Sequence, residues 1–160
     1  MLTKSVRRLF AAVAIAPLLI TACDSNPFDP FDEATGTYQL SIFATRSMPA
    51  TIPCEPGECE GLPNGGTIRV NSGTLTLHNN GTFTEENQFT FTPNGGGSFN
   101  DEFVSIGTYT INGEDLTLSD PDHPNGDRFV NASLEFLSGN DVRISYEEGN
   151  PPEAYEYIKR

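Results

Sequence analysis

The strongest constraint in this sequence is a two-residue period. From Gly36 onward, apolar and polar residues alternate in short runs, and each run ends in residues suited to tight turns. In "TYQLSIFAT" the alternation sets Tyr38, Leu40, Ile42 and Ala44 on one face. "TIRV" leads toward "GTLTLHNNGTFT", where Leu75 and Leu77 alternate with threonines around Asn79-Asn80-Gly81. Asn and Gly tolerate positive φ, so that triplet predicts a hairpin turn. "GTYTINGEDLTLS" predicts a second hairpin at Asn112-Gly113, with Tyr109 and Ile111 facing Leu116 and Leu118. "ASLEFLSGNDVRISY" predicts a third around Ser138–Asp141, setting Ala132, Leu134 and Phe136 against Val142, Ile144 and Tyr146. "EAYEYIKR" supplies a last strand. About eight such strands, with no sustained helical period, predict an all-β antiparallel domain over 36–160. An up-and-down eight-stranded β-barrel removes the exposed edges most simply; a two-sheet sandwich is the structural rival.

The N-terminal segment belongs to a different regime. Lys4, Arg7 and Arg8 precede an uncharged apolar run over residues 9–22. The run falls short of the roughly 20 residues that span a bilayer, and its flanks fit a secretory signal. Ile20-Thr21-Ala22-Cys23 resembles the lipobox of bacterial lipoproteins. That resemblance implies a signal peptide over 1–22 and cleavage before Cys23. Cys23 would then carry lipid on its sulfur, giving a stable anchor without a membrane-spanning helix. Residues 23–35, rich in Pro and Asp, read as the lipid-anchored linker. The expected location is the bacterial cell envelope, with the domain facing the periplasm; Asp24 leaves the choice of inner or outer membrane open.

Charge narrows the partners. Six basic residues remain after residue 22, against all 22 acidic ones, so the remainder carries −16. Phosphate recognition needs a basic footprint, so nucleic acid is not an expected partner. Anionic headgroups are equally unsuited, which leaves membrane contact to the lipid.

With Cys23 assigned to lipid, Cys54 and Cys59 form an even pair around the turn "EPGE". In an exported chain they predict a disulfide, with a loop-closure contribution of roughly 2 kcal/mol. A metal site using both thiols with Glu55, Glu58 or Glu60 lacks histidine and the spacing of a zinc knuckle. The disulfide would staple a Pro-rich loop over 46–66.

The barrel segments also carry a family resemblance. Gly36–Tyr38, "SGTLTLHNNGTFT" at 72–84, "GTYTINGEDLTLS" at 107–119 and the terminal "YEYIKR" resemble the lipocalin-like domains of small bacterial lipoproteins. The resemblance implies that Tyr38 takes the place of the lipocalin Trp at the barrel bottom. Lys159 or Arg160 would then be the cation over its ring, a contact of about 0.5–1 kcal/mol. The chain has no Trp, a departure from the main lipocalin pattern.

Two functions fit this reading. In the first, a small apolar or amphipathic ligand sits in the barrel against Tyr38, Leu40, Leu77, Phe83, Tyr109, Leu134 and Phe136. In the second, the same side chains fill the barrel, and its exterior or the 46–66 loop contacts another envelope protein. An eight-stranded barrel is just wide enough for either. No enzyme is expected: no nucleophile elbow, zinc motif, phosphate loop or dinucleotide fingerprint is present. No cofactor is expected either. "SDPDHPNGDR" at 119–128 brings Asp120, Asp122, Asn125 and Asp127 together, but it lacks the glycine and glutamate positions of a calcium loop and reads as a polar loop.

One strand breaks the pattern. If Phe83, Phe89 and Phe91 face inward, Glu85 and Asn87 do so too. A buried carboxylate without a partner is costly, which predicts a break, a bulge or a crossing of the barrel rim there. The other outcome places Glu85 and Asn87 as polar groups inside.

Overall fold

The computed structural model describes residues 33–59, 61–124, 126–138, 141–149 and 153–159. The signal peptide, Cys23 and most of the linker lie outside the described residues, as do Glu60, Asn125 and Arg160. Ten strands form one sheet: β1 (Gly36–Phe43), β2 (Arg46–Ser47), β3 (Ala50–Cys54), β4 (Gly66–Leu77), β5 (Thr82–Pro93), β6 (Phe99–Asn112), β7 (Asp115–Asp120), β8 (Arg128–Phe136), β9 (Val142–Glu148) and β10 (Glu153–Lys159).

Eight of them close an antiparallel up-and-down barrel, and β1 closes it. Its first half pairs with β4, from Gly36↔Leu77 to Gln39↔Thr74. Its second half pairs with β10, from Gln39↔Ile158 to Phe43↔Tyr155. A sheet joined to itself in this way is a barrel and not a sandwich. The first two predicted hairpins stand where the turn residues place them, with Gly81 at φ +81° and Gly113 at φ +65°; residues 139 and 140 of the third turn lie outside the described residues.

Three sequence expectations are corrected. First, the register of β1 shifts between Leu40 and Ile42. The bulge changes which side faces in, so Phe43 is buried while Ile42 and Ala44 are only partly covered. Second, the 46–66 segment is not merely a loop. β3 pairs with β4 from Ala50↔Val70 to Cys54↔Gly66, and Pro53 is accommodated because β3 is an outer strand. The Cys54–Cys59 disulfide closes its end, with Cα atoms 5.7 Å apart. Third, Phe136 is 40% exposed although it continues the inward side of β8. It stands at the last residue of that strand, beyond the layer formed by Leu134.

The lower barrel is apolar. Tyr38, Leu75, Leu77, Phe83, Leu116, Leu118, Leu134 and Ile144 are buried together. Its bottom is capped by the residues that enter β1. The Tyr38 hydroxyl donates to the Ala34 carbonyl. Lys159 Nζ donates to the carbonyls of Glu33 and Thr35, and stands 5.7 Å from the Tyr38 ring centroid. The basic residue over this ring is thus Lys159.

Candidate functional site

The upper barrel is built differently, because several strands place polar residues at inward positions. β5 runs on without interruption from Thr82↔Thr108 to Phe91↔Phe99. Its inward side therefore carries Phe83, then Glu85, then Asn87, all buried. The predicted break at this point does not occur; the bulge lies in β4 instead, between Val70 and Ser72.

Three other strands bring partners to Glu85. Oε1 accepts from the Tyr146 hydroxyl of β9 at 2.6 Å and the Tyr157 hydroxyl of β10 at 2.7 Å. Asn87 Nδ2 donates to the same oxygen at 3.0 Å. Oε2 lies 2.9 Å from Arg128 Nη1 of β8. That contact is Coulombic, because Oε2 receives no aligned hydrogen bond. Nη1 instead donates to Ser105 Oγ of β6 at 3.0 Å, and Ser105 in turn donates to Asp120 of β7 at 2.8 Å.

Arg128 is held on every side. Its Nε and Nη2 grip the Glu148 carboxylate at 2.8 and 2.6 Å, the bidentate arrangement a planar guanidinium favours. Its guanidinium carbon lies 5.1 Å from the Phe103 ring centroid and 5.9 Å from that of Tyr146. Burial alone would lower the Arg128 pKa; the hydrogen bonds to Glu148 and the field of Glu85 outweigh it and raise it. Burial, followed by the negative field of Glu85, holds Tyr146 and Tyr157 well above the ordinary tyrosine range. Both hydroxyls therefore remain proton donors to Glu85. Aromatic rings surround the cluster: Tyr146 stacks on Tyr155 at 4.8 Å, and Phe43 meets Tyr155 edge-on at 4.9 Å.

This cluster corrects the reading of 119–128 as a loop throughout. Asp120 and Arg128 are paired strand residues, and both are buried. Sequence reasoning missed Arg128 as the partner of Glu85. The available signal was the series Arg128, Val130, Ala132, Leu134, whose alternation turns the arginine inward.

The Arg128 donors are occupied by Glu148, Ser105, the Glu85 contact and a longer approach to the Tyr146 hydroxyl at 3.4 Å. The guanidinium therefore offers no open position to an anion. No group of three or more potential metal ligands occurs among the described residues. Beside the cluster, an open cleft of about 420 Å³ is lined by Phe103, His123, Asp127, Phe129 and Glu148.

Of the residues predicted to face a ligand, Tyr38, Leu40, Leu77, Phe83, Tyr109 and Leu134 are brought together in the core, each no more than 6% exposed. Phe136 stands apart from them.

The fold is a closed eight-stranded antiparallel barrel, consistent with a lipocalin-like architecture. No protein-family model matches the chain, and no curated protein matches its sequence.

Proposed function

We propose that this chain is a lipid-anchored cell-envelope lipoprotein whose barrel is a solid interaction module. The carrying observation is the filled interior. Tyr38, Phe83, Glu85 and Tyr157 run from the lower to the upper barrel, and each has 0% exposure. A side chain with no exposed surface borders no space large enough for a water molecule, so these residues border no room for a ligand. Lys159 over Tyr38 covers one end, and Arg128 with Glu148 covers part of the other.

The anchor rests on the resemblance of Ile20–Cys23 to a lipobox. Nine residues lie between Cys23 and Glu33, ten steps of the chain, a reach of at most about 36 Å. Glu33 and Thr35 are bound to Lys159 at the bottom of the barrel. The tether therefore joins the domain at the lower end of the barrel, and the end bearing Arg128 lies opposite it.

The open cleft beside Phe103 favours a second reading, a small amphipathic ligand held at the upper rim. Titration of the mature chain with a fluorescent fatty-acid probe separates the two. The interaction module predicts no saturable binding. Saturable binding that disappears in Phe103→Ala establishes the rim site instead. Mass spectrometry of the mature N-terminus tests the anchor: a Cys23 with diacylglycerol on its sulfur and an acyl group on its amine is expected, and an unmodified Cys23 or a different first residue overturns it.

A further inference from the structure

Strand β6 extends well beyond its neighbour. β7 pairs with it only from Thr108↔Ser119 to Asn112↔Asp115, whereas β5 pairs with it up to Phe91↔Phe99. Among the described residues, Phe99–Ile106 thus has a paired strand on one side only. The Tyr109 amide donates to the Gly81 carbonyl, so odd-numbered residues of β6 direct their backbone groups toward β5. In a strand this direction alternates. Asn100, Glu102, Val104 and Ile106 therefore direct theirs to the open side. Glu102 shows the consequence: its amide donates to the side chain of Asp101 at 2.9 Å, a local substitute for a strand.

Open sheet edges recruit extended chains unless they are blocked. This edge lacks the usual lysine or proline, since the segment reads "FNDEFVSI". Two of its outward side chains are apolar and exposed, Val104 and Ile106, beside the polar Asn100 and Glu102; Phe129 is exposed on the outer side of β8. Acidic residues surround them. Glu86 lies opposite Val104 on β5, and Asp101 and Glu102 continue the strand. Arg128, the arginine nearby, is turned inward and held by carboxylates. The other described basic residues lie on β2, β4, β9 and β10.

We infer that the Phe99–Ile106 edge of β6 accepts an extended strand from a partner protein. The strand carries Lys or Arg opposite Glu102 and aliphatic residues opposite Val104 and Ile106. The backbone groups supply the pairing, the aliphatic residues cover Val104 and Ile106, and the basic residue answers the surrounding acids. A second copy of this chain fits less well, because it brings the same acids to the same edge on a molecule with net charge −13. The inference rests on the interaction-module reading and names its surface.

The test uses the mature chain with a synthetic peptide in which Lys, Val and Ile alternate with Thr, and a control peptide with Glu in place of Lys. Amide hydrogen exchange at Val104 and Ile106 should slow on adding the Lys peptide, and the Glu peptide should bind at least tenfold more weakly. Val104→Pro removes an edge donor without touching the β5 pairing, and Ile106→Lys repels a basic strand; each should reduce binding at least tenfold. Thermal unfolding of both variants shows that the barrel remains folded. Equal binding of the two peptides, or unchanged exchange at the edge, overturns the inference. Dimerisation that slows the same amides in the absence of peptide overturns it in favour of a second copy. Photocrosslinking in cells separates this surface from the broader reading. A defined partner captured from position 51 on β3 but not from 106 overturns the edge alone, and capture from neither overturns both.

Discussion

Glu85 and Arg128 meet inside the barrel, Oε2 to Nη1 at 2.9 Å, from strands on opposite parts of the sheet. Arg128 has a second carboxylate partner in Glu148, whereas Arg128 is the one cation paired with Glu85 among the described residues. Removing one member of a buried pair leaves the other charged without its partner, at a cost of about 3–5 kcal/mol. Arg128→Met strands both Glu85 and Glu148 and should approach that loss. Glu85→Leu leaves Arg128 its Glu148 fork and should cost less. In denaturant unfolding, the double variant should be more stable than the sum of the two losses implies, by about 1–3 kcal/mol. Strict additivity would mean that the pair is not energetically coupled.

Much of the barrel is legible in the sequence because its cause is local. Period-two alternation and Asn-Gly turns act over a few residues, so β4, β5, the second half of β6 and most of β7 to β10 follow from them, while Phe99–Ile106 does not. Closure and the polar cluster depend on distant residues. The alternation brings Glu85 inward, but nothing near Glu85 identifies Arg128, Tyr146 and Tyr157 as its partners. "SDPDHPNGDR" has the composition of a loop, and that composition conceals Asp120 and Arg128 at the ends of two paired strands. The bulge after Leu40 exchanges the faces of β1 with no change in the apolar pattern. β3 is equally hidden, since Pro53 argues against a strand until its outer position is known.

Two glycines admit close neighbours, and alanine there should be harmful to different degrees. A Cβ on Gly73 would stand 2.0 Å from Asn87 Oδ1 and 2.9 Å from Leu40 Cβ. A Cβ on Gly107 would stand 2.0 Å from the backbone oxygen of Ser119 and 2.9 Å from the Phe83 ring. Overpacking costs about 1–3 kcal/mol. The amide of Asn87 can turn away, whereas the Ser119 carbonyl belongs to a paired strand. Gly107→Ala should therefore lower the thermal midpoint more than Gly73→Ala, and the reverse order contradicts this account.

Lys159 connects the bottom cap to the last strand through two carbonyls and one ring. Lys159→Met should cost about 1 kcal/mol, because these contacts are partly exposed. The more specific result is local: amide exchange should quicken at Ala34 and Thr35 and remain unchanged at Tyr146. A uniform change throughout the barrel would show that Lys159 does not act on the cap.

Alkaline pH should unfold the barrel through its tyrosines. Burial raises the pKa of Tyr38 and Tyr155, and raises Tyr146 and Tyr157 well above the ordinary value of 10.0. Below 10.0 both the folded and the unfolded chain keep these protons, and the stabilisation is complete. Above it the unfolded chain releases protons that the folded chain retains, so the unfolded state gains. Stability then falls with pH, by as much as about 1.4 kcal/mol per pH unit for each such tyrosine. The four acting together make the decline steep. Phenolate absorbance and far-ultraviolet circular dichroism, followed in one titration, should change together, with ionisation appearing only as the sheet is lost. Tyr146→Phe with Tyr157→Phe should make the decline shallower, while also lowering stability at neutral pH because Glu85 loses two donors. A phenolate signal with an ordinary midpoint and an intact sheet would show that these hydroxyls are open to water, contrary to the filled interior.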